Sequence, residues 1–248
     1  MRYLILSDIH GNVHALDAVL EDATRHACDR VLCLGDLVGY GADPAAVIAR
    51  VRELTPVGLI RGNHDKVCAG IEPAASFNLL AKLAAQWTHD VLSPTDLEWL
   101  AALPKGPLRI ESGLEICHGA PFNEDHYIFD RYDAMRSLDS TTARVCLFGH
   151  THVPAIFAPA DQPEHWSVNG TDCFRLPAGG QVLANVGSVG QPRDGDPRAA
   201  YGVIDTDTFE IELCRVPYDV EGAQAAIRKA GLPEWLAARL ARGEGRGR

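Results

Sequence analysis

Five short apolar runs in this chain each lead into side chains that can bind metal ions, and this recurrence constrains the fold more than any other feature. Runs of this length bounded by glycine are typical of buried strands. In open α/β sheets, ligands bind beyond the carboxyl ends of the strands. The pattern therefore gathers two Asp, at least one Asn and up to five His around one point, more than one structural zinc ion needs, and indicates two adjacent metal ions. The runs begin at Leu4, Val31, Val57, Leu114 and Val145, and the side chains that follow them are Asp8, His10, Asp36, Asn63, His64, His118, His150 and His152.

Composition and charge narrow the classes of partner. With 46% apolar and 23% charged residues in 248, the chain has the make-up of a globular protein that can bury a sizeable core. A formal net charge of −10 argues against bulk binding to nucleic acid or to an anionic membrane. An anionic substrate is still compatible with this charge, because bound divalent cations can reverse the local field.

The termini and cysteines indicate the compartment. No apolar stretch reaches membrane-spanning length, and Met1-Arg2-Tyr3 enters a strand directly, which leaves no room for a signal peptide. The seven cysteines form no C-x-x-C pair, so buried free thiols are a better interpretation than disulfides or metal ligands. We therefore expect a cytoplasmic protein without a membrane partner, and the sequence leaves homo-oligomer formation open.

The order of strands and helices predicts an α/β chain that forms a single domain over residues 1–242. The first third alternates strands and helices with short connections, which favours a parallel βαβαβ unit. Residues 66–104 carry no strand signal and are predicted to form a helical insert near the metal site, followed by mostly β structure. Predicted strands cover 3–7, 30–34, 57–61, 107–111, 114–117, 145–149, 154–158, 181–186, 200–205 and 209–216, with a polar loop between 158 and 181. Predicted helices cover 13–25, 45–53, 76–90, 94–102 and 219–242, the last one broken at 231–233, and a disordered tail follows at 243–248.

The spacing of the ligand residues indicates the metal chemistry. Asp8 and His10 are two residues apart and so project from the same side of an extended segment, as do His150 and His152. Asp36 lies between these pairs in the sequence, and a carboxylate can bridge two cations by giving one oxygen to each. Mixed oxygen and imidazole ligands suit Mn, Fe, Zn, Co or Ni. Two such ions about 3.5–4 Å apart can clamp a phosphoryl oxygen and hold a hydroxide for in-line attack.

The same residues fall into five motifs that resemble, in order, those of the calcineurin-like metallophosphoesterases. The resemblance spans about residues 1–205 and implies a four-layer αββα fold, a β-sandwich of two mixed sheets flanked by helices. The motifs are Asp8-Ile9-His10-Gly11-Asn12, Gly35-Asp36, Gly62-Asn63-His64-Asp65, His118-Gly119 and Gly149-His150-Thr151-His152.

The resemblance also implies a role for each motif residue. Asn63 supplies a neutral oxygen to one metal, and the His64 that follows it contacts the substrate phosphate and protonates the leaving group. Both residues are therefore expected at the substrate as well. By the same carry-over, Asp8, His10, Asp36 and His152 hold one metal, and Asp36, Asn63, His118 and His150 hold the other.

One motif departs from the protein-phosphatase branch of this family. That branch continues its second motif as Gly-Asp-x-x-Asp-Arg-Gly, whereas this chain has Gly39-Tyr40-Gly41 after Val38. With the segment 185–193, this feature is similar to the small bacterial and archaeal phosphodiesterase-like branch, whose members act on phosphodiesters or on nucleotides, including dinucleoside polyphosphates. The resemblance thus implies hydrolysis of small phosphodiesters or nucleotide phosphoanhydrides by hydroxide bound to two divalent ions, with Mn favoured over Fe, Zn, Ni or Co.

Other functions remain as alternatives. A phosphomonoesterase or a protein phosphatase of the same superfamily uses the same ligands. A non-catalytic binding scaffold with this fold, such as a eukaryotic retromer subunit, has a degraded site that lacks the His after the Asn, whereas Asn63-His64 is intact here. A DNA nuclease subunit needs a basic groove and further domains.

Several residues outside the ligand motifs have two interpretations. Arg193, in a loop rich in Gly and Pro, either binds a substrate phosphate or pairs with Asp194 or Asp196. Asn12 is better explained as a helix cap than as a site residue. His126 is the one histidine outside the motifs that merits a test, and Trp87 and Trp99 of the insert are either core residues or a surface for a nucleobase.

Overall fold

Two mixed β-sheets pack face to face at the centre of the structure, a computed structural model that describes residues 1–158, 172–176 and 179–244. The strands are β1 (Arg2–Leu6), β2 (Arg30–Cys33), β3 (Gly58–Leu59), β4 (Leu108–Glu111), β5 (Leu114–Ile116), β6 (Val145–Phe148), β7 (Ala155–Phe157), β8 (Asp172–Arg175), β9 (Val182–Asn185), β10 (Ala199–Asp205) and β11 (Glu210–Val216). The helices are α1 (Val13–Ala23), α2 (Pro44–Leu54), α3 (Asn63–Cys68), α4 (Leu79–Val91), α5 (Pro94–Ala101), α6 (Arg131–Asp139), α7 (Val220–Lys229) and α8 (Glu234–Ala238), with 3₁₀ turns at Thr24–His26 and Arg239–Arg242.

Each sheet combines parallel and antiparallel pairs. The first has the order β3-β2-β1-β10-β11-β8, and its β1–β2 and β2–β3 pairs are parallel. The second has the order β4-β5-β6-β9-β7, and its β5–β6 and β6–β9 pairs are parallel. The parallel pairs form one end of the first sheet and the middle of the second. Parallel neighbours end at the same edge of their sheet, and the residues that follow β1, β2, β5 and β6 lie together.

Apolar layers cover both faces of the central strands. Ile5 and Leu32 of the first sheet pack with Ile116 and Leu147 of the second between the two sheets. The opposite face of the first sheet packs against α1 and α2, and α6 covers the second sheet. Because both faces are buried, these strands read as continuous apolar runs rather than alternating ones. The four-layer sandwich of two mixed sheets flanked by helices is therefore as predicted.

Three elements were not predicted, and each has a weak sequence signal. Strand β8 replaces part of the predicted polar loop. Among the described strands it pairs with β11 alone, and three of its four residues are exposed, so the sequence offers no apolar run. Helix α6 has a strongly polar sequence and buries only Ala134, Ser137 and Leu138. Helix α3 is a six-residue helix that begins in the third motif, where ligand residues mask the helical pattern.

The insert and the C-terminal segment lie against each other. Helix α4 begins at Leu79 rather than at 76 because the Asn78 side chain accepts the N–H of Ala81 and caps it. Apolar residues of α4, α7 and α8 form one cluster that includes Tyr40. The predicted break separates α7 from α8. Ordered contacts extend to Gly243 and Glu244, which bond to the loop at Asp194 and Gly195, and the rest of the tail at 245–248 lies outside the described residues.

None of the helices in the described part of the chain is both long enough and apolar enough to cross a membrane.

Candidate metal centre

The aligned strand ends bring the predicted metal ligands together in two groups that share one residue. Asp36, which follows β2, belongs to both groups, and within each group the ligand atoms lie within 4.8 Å of one another. All of these residues are buried. The first group is Asp8, His10, Asp36 and His152, and the second is Asp36, His118 and His150.

Most of the ligands sit on an unusual backbone. Asp8, His10, Asp36, His150 and His152 all have positive φ, between 49° and 67°. This left-handed conformation is disfavoured for side chains other than Gly, and it persists only where the surroundings enforce it. Here backbone hydrogen bonds enforce it. The N–H of Asp8 donates to the backbone carbonyl of Gly35, and the N–H of His10 donates to the backbone carbonyl of Asp36. The strained backbone is a further sign that this edge of the sheets is a functional site.

Backbone carbonyls fix the orientation of three histidine rings. The Nδ1 atoms of His10, His118 and His152 lie 3.1, 2.8 and 2.7 Å from the carbonyl oxygens of Val38, Leu34 and Gln191. Because a carbonyl only accepts, each Nδ1 carries the proton. The Nε2 atom is therefore the one that faces the centre, an arrangement typical of metal-binding histidines.

Two features of the centre fit bound cations. The Nε2 atoms of His10 and His152 lie 3.1 Å apart, and burial lowers the pKa of both rings well below the usual value. Two lone pairs thus face each other, which is unfavourable unless a cation lies beside them. The Nε2 of His150 is buried and has no hydrogen-bond partner among the described residues. Both features are explained if these nitrogens are metal ligands.

The acidic residues and His118 point to the same conclusion. Burial alone would raise the pKa of Asp36, but the charges of His118 and His64 outweigh it and hold that pKa well below its usual range. Burial would likewise lower the pKa of His118, yet the Asp36 carboxylate, 3.4 Å from its Nε2, raises that pKa to about 10. The position between these two residues therefore favours a positive charge, which a divalent cation would supply in place of the proton.

Asn63 and His64 begin helix α3 beside this centre. The Asn63 side-chain oxygen lies 3.2 Å from Nε2 of His118, which puts it next to the second group. The backbone N–H of His64 donates to Asp36 Oδ1 at 2.8 Å, and its ring lies among those of Tyr40 and Phe77. Burial lowers the pKa of His64 to about 4, against the pull of the Asp36 carboxylate.

Glycines in the motifs allow the close approach of the loops. A methyl group added at Gly62 would overlap the Asp36 carboxylate, and one added at Gly149 would overlap Ser7 and Asp8. Gly149 also donates its N–H to the carbonyl of His118. The absence of a side chain at these positions lets the carboxyl ends of the two sheets converge on one point.

The loop after β9 holds the ligand loops in place. Asn185 donates to the carbonyl of Gly149 at 2.8 Å and to Thr151 Oγ1 at 2.9 Å. The Ser188 hydroxyl donates to the carbonyl of Asp8, and Gln191 supplies the carbonyl that orients His152. The segment 185–193, which the resemblance singled out, therefore positions the ligands of the first group.

A cavity of about 730 Å³ borders the metal centre, and its wall contains Arg193. Tyr40 in this wall contacts the rings of His10 and His64 at 4.9 and 4.4 Å between centroids. Tyr127, also in the wall, stacks on His150 at 3.7 Å. The volume lies in the range of pockets for small organic ligands.

The two acids that Arg193 was expected to pair with bind other partners. Asp194 pairs with Arg215, and Asp196 pairs with Arg198. Arg193 instead donates to Gln191 Oε1 at 3.1 Å, and its Nε has no hydrogen-bond partner among the described residues.

Sequence reasoning missed three residues of the site. Asp65 is fully buried and accepts the N–H groups of Gly62, Leu37 and Val38, and burial raises its pKa to about 7. Its position in the third motif is the available signal. Tyr127 and Arg239 reach the site from loops and turns far away in sequence, and nothing in the sequence around them marks them.

The residues with two interpretations are also placed. Asn12 caps α1 by accepting the N–H of Ala15 at 3.1 Å, as expected. His126 lies 3.0 Å from Asp133 and is outside both ligand groups. Trp99 lies under Arg52 and packs on the apolar residues between the first sheet and helices α1 and α2. Trp87 packs on the cluster that contains Tyr40. Neither tryptophan lines the cavity, so the core interpretation fits both.

Comparisons with other proteins agree with this geometry. A family model described as the calcineurin-like phosphoesterase superfamily domain matches residues 1–209. An uncharacterised protein of Methanocaldococcus jannaschii, MJ0912, is 36% identical over 245 residues, which cover 95% of this chain and 96% of the relative. The phosphodiesterase YfcE of Escherichia coli is 25% identical over 85% of this chain and 91% of its own. A metallophosphoesterase from Sphaerobacter thermophilus superposes with a TM-score of 0.86 at 38% identity, covering 98% of this chain and 99% of the other.

Proposed function

The chain belongs to the calcineurin-like phosphoesterase superfamily and is a metal-dependent phosphoesterase, and from this premise we propose that it uses two divalent transition-metal ions to hydrolyse small phosphodiesters or nucleotide phosphoanhydrides. The position of Asp36 carries the proposal. Its carboxylate belongs to both ligand groups and lies 3.5 Å from His10 Nε2 and 3.4 Å from His118 Nε2. A carboxylate so placed can give one oxygen to each of two ions.

We propose the division of the residues between the two ions that the family resemblance implies. We assign Asp8, His10, Asp36 and His152 to one ion and Asp36, Asn63, His118 and His150 to the other. Two bound ions would polarise a phosphoryl oxygen and lower the pKa of a water that attacks phosphorus. Oxygen and imidazole donors together suit Mn, with Fe, Zn, Co and Ni as alternatives.

His64 is the residue that we assign to the leaving group. Its Nδ1 faces Gly39, where an added methyl group would overlap it, so Nε2 is the nitrogen left to face a substrate. The rings of His10, Tyr40 and Phe77 hold it from three sides at centroid distances of 4.4–4.8 Å. A proton held at Nε2 would pass to the departing oxygen as the P–O bond breaks. Asn63, which precedes His64 in α3, would hold an oxygen of the attacked phosphate, and Arg193, in the wall of the cavity, would hold other phosphate oxygens of the substrate.

The cavity supports a small substrate. Its wall contains Asn78 and Leu80 of the helical insert as well as Thr151 and Val153 of the loop after β6, so a small ligand at the metal centre would have protein on more than one side. E. coli YfcE, named as a phosphodiesterase, supports the same reaction class.

A substrate panel tests the proposal. We expect the purified protein with Mn²⁺ to hydrolyse bis(p-nitrophenyl) phosphate, and we expect a chelator to abolish this activity and added Mn²⁺ to restore it. The panel also contains an aryl monoester, a cyclic nucleotide and a dinucleoside polyphosphate, each tried with Mn, Fe, Co, Ni and Zn. Absence of turnover for every compound with every metal would overturn the proposed function.

A further inference from the structure

A half-buried arginine and a buried one face the cavity from different parts of the chain. Arg193 lies in the loop after β9, and Arg239 begins the 3₁₀ turn that ends the C-terminal helical segment. Arg239 is only 4% exposed. The described wall of the cavity contains these two arginines and no carboxylate, in a protein whose formal net charge is −10. This wall is therefore a local site of positive charge next to a metal centre.

Both guanidinium groups lie against the same aromatic ring. Their central carbons are 5.8 Å (Arg193) and 5.5 Å (Arg239) from the centre of the Tyr40 ring, and Arg239 also lies 4.7 Å from that of Trp235. The Nε of Arg239 donates to the carbonyl of Glu244 at 2.9 Å, which fixes the side chain in this position. These contacts hold the pair rigidly, as a binding site requires.

Holding two like charges against one ring is unfavourable by itself when one of them is buried. Burial lowers the pKa of Arg239 to about 9, and the charge of Arg193 contributes to this shift. Such a cost is offset when an anion binds between the two groups, because guanidinium groups form strong paired hydrogen bonds with phosphate oxygens. The arrangement is therefore complementary to an anionic ligand.

The arginine pair adjoins the metal centre and belongs to neither ligand group. Tyr40, against which both guanidinium groups lie, contacts the rings of His10 and His64 at 4.9 and 4.4 Å between centroids. A second phosphate joined to one at the metal centre would therefore extend along this ring toward the arginines. We propose that Arg193 and Arg239 form a second phosphate subsite, which selects substrates with two or more adjacent phosphates for hydrolysis of the bond between them.

This subsite would bind the leaving phosphate. The reaction assigned to it rests on the proposed function. Water oxygen forms a bond to the phosphorus at the metal centre and gives up its proton, while the bond from that phosphorus to the bridging oxygen breaks. The electron pair and one proton go to the leaving phosphate. Its charge is then held by Arg193 and Arg239, which a substrate with a single phosphate cannot use.

Ligand binding tests the subsite without relying on turnover. The affinities of the metal-loaded protein for inorganic pyrophosphate and for inorganic phosphate are measured by calorimetry at one free Mn²⁺ concentration. For Arg239→Gln we expect a loss of about tenfold or more in affinity for pyrophosphate and a change of less than about threefold for phosphate, since one charged hydrogen-bond pair is removed. Arg239→Lys should recover part of the loss. Arg228→Gln, which removes an exposed ion pair with Glu234 on the same C-terminal segment, serves as the matched control.

Each outcome distinguishes selective binding of pyrophosphate by the arginines from a purely structural role. Equal loss for both ligands, or no loss for either, in an Arg239→Gln protein with unchanged metal content and thermal unfolding would overturn the subsite. If that variant unfolds, the same comparison is made with Arg193→Gln, for which we expect the same selective loss. A wild-type protein that binds pyrophosphate selectively but hydrolyses no phosphoester would overturn the proposed function and leave the subsite standing.

Discussion

At the scale of single residues, Asp36 is the ligand that the two proposed metal ions share. We expect Asp36→Asn to reduce the bound metal from about two ions per chain to less than one and to abolish activity, because a neutral amide is a poor bridge between two cations. Metal content by mass spectrometry and turnover of the aryl diester are measured together. Asp17→Asn, at an exposed ion pair with Arg50, should change neither quantity. An Asp36→Asn protein with full metal content would show that the carboxylate is not the bridge.

Substitution of His64 should lower the rate without the loss of metal that we expect for Asp36→Asn. We expect His64→Ala to retain its metal ions while kcat falls by roughly 10²–10⁴, the usual contribution of general acid catalysis. The loss should be smaller for a nitrophenolate leaving group, which barely needs a proton, than for an alkoxide. His126→Ala, at a histidine bound to Asp133 outside both ligand groups, is the control. Loss of metal from His64→Ala would instead identify this residue as a metal ligand.

The sequence alone could identify a site residue only where that residue follows a buried strand. Asp8, Asp36, His118 and His150 follow buried strands, and the parallel pairing of those strands brings them together. Arg239 is more than 40 residues beyond Arg193 in a polar helical segment, and only tertiary packing places it in the same wall. The division of labour among the ligands could be stated only through the family resemblance.

At the scale of elements, the loop that follows β6 depends on one side chain of β9. Asn185→Ala removes the donor to the carbonyl of Gly149 and to Thr151 Oγ1, and it removes the oxygen that accepts the buried N–H of Gly187. We expect a loss of about 1–3 kcal/mol in the free energy of unfolding and weaker metal binding, because this loop carries His150 and His152. Denaturant unfolding with and without Mn²⁺ measures both effects.

The control for this change is a second asparagine. Asn123→Ala removes an exposed hydrogen bond to the N–H of Asp125, so it should leave both quantities close to wild type. Unchanged metal affinity in a destabilised Asn185→Ala protein would mean that β9 supports the fold and not the site.

Strands and helices could be predicted where burial requires apolar residues at regular positions in the sequence. The central strands and the amphipathic helices α1 and α4 have one, since their apolar faces must pack. Strand β8 and helix α6 lie at the margins of the fold, where exposed positions impose little on residue type. Their existence depends on pairing with β11 and on contact with the second sheet, which no local pattern reveals.

At the scale of the whole molecule, we expect the cavity beside the metal centre to limit the size of the substrate. We expect kcat/KM to be at least roughly tenfold higher for an aryl diester or a dinucleoside polyphosphate than for a phosphopeptide. Gly39 and Tyr40 replace the Asp-Arg pair of the phosphatase-type motif, which removes one cation for a monoester dianion, and the insert narrows access for a folded protein. The three substrates are compared under one metal condition. Preference for the phosphopeptide would identify the protein as a phosphatase.

The occupancy of the metal centre tests the central claim most directly. Diffraction data are collected at the manganese absorption edge from crystals grown with Mn²⁺. We expect two anomalous peaks about 3.5–4 Å apart, one on each side of the Asp36 carboxylate, with His10 and His152 at one and His118 and His150 at the other. A single peak, or an active crystal form with no peak beside Asp36, would contradict the two-metal account.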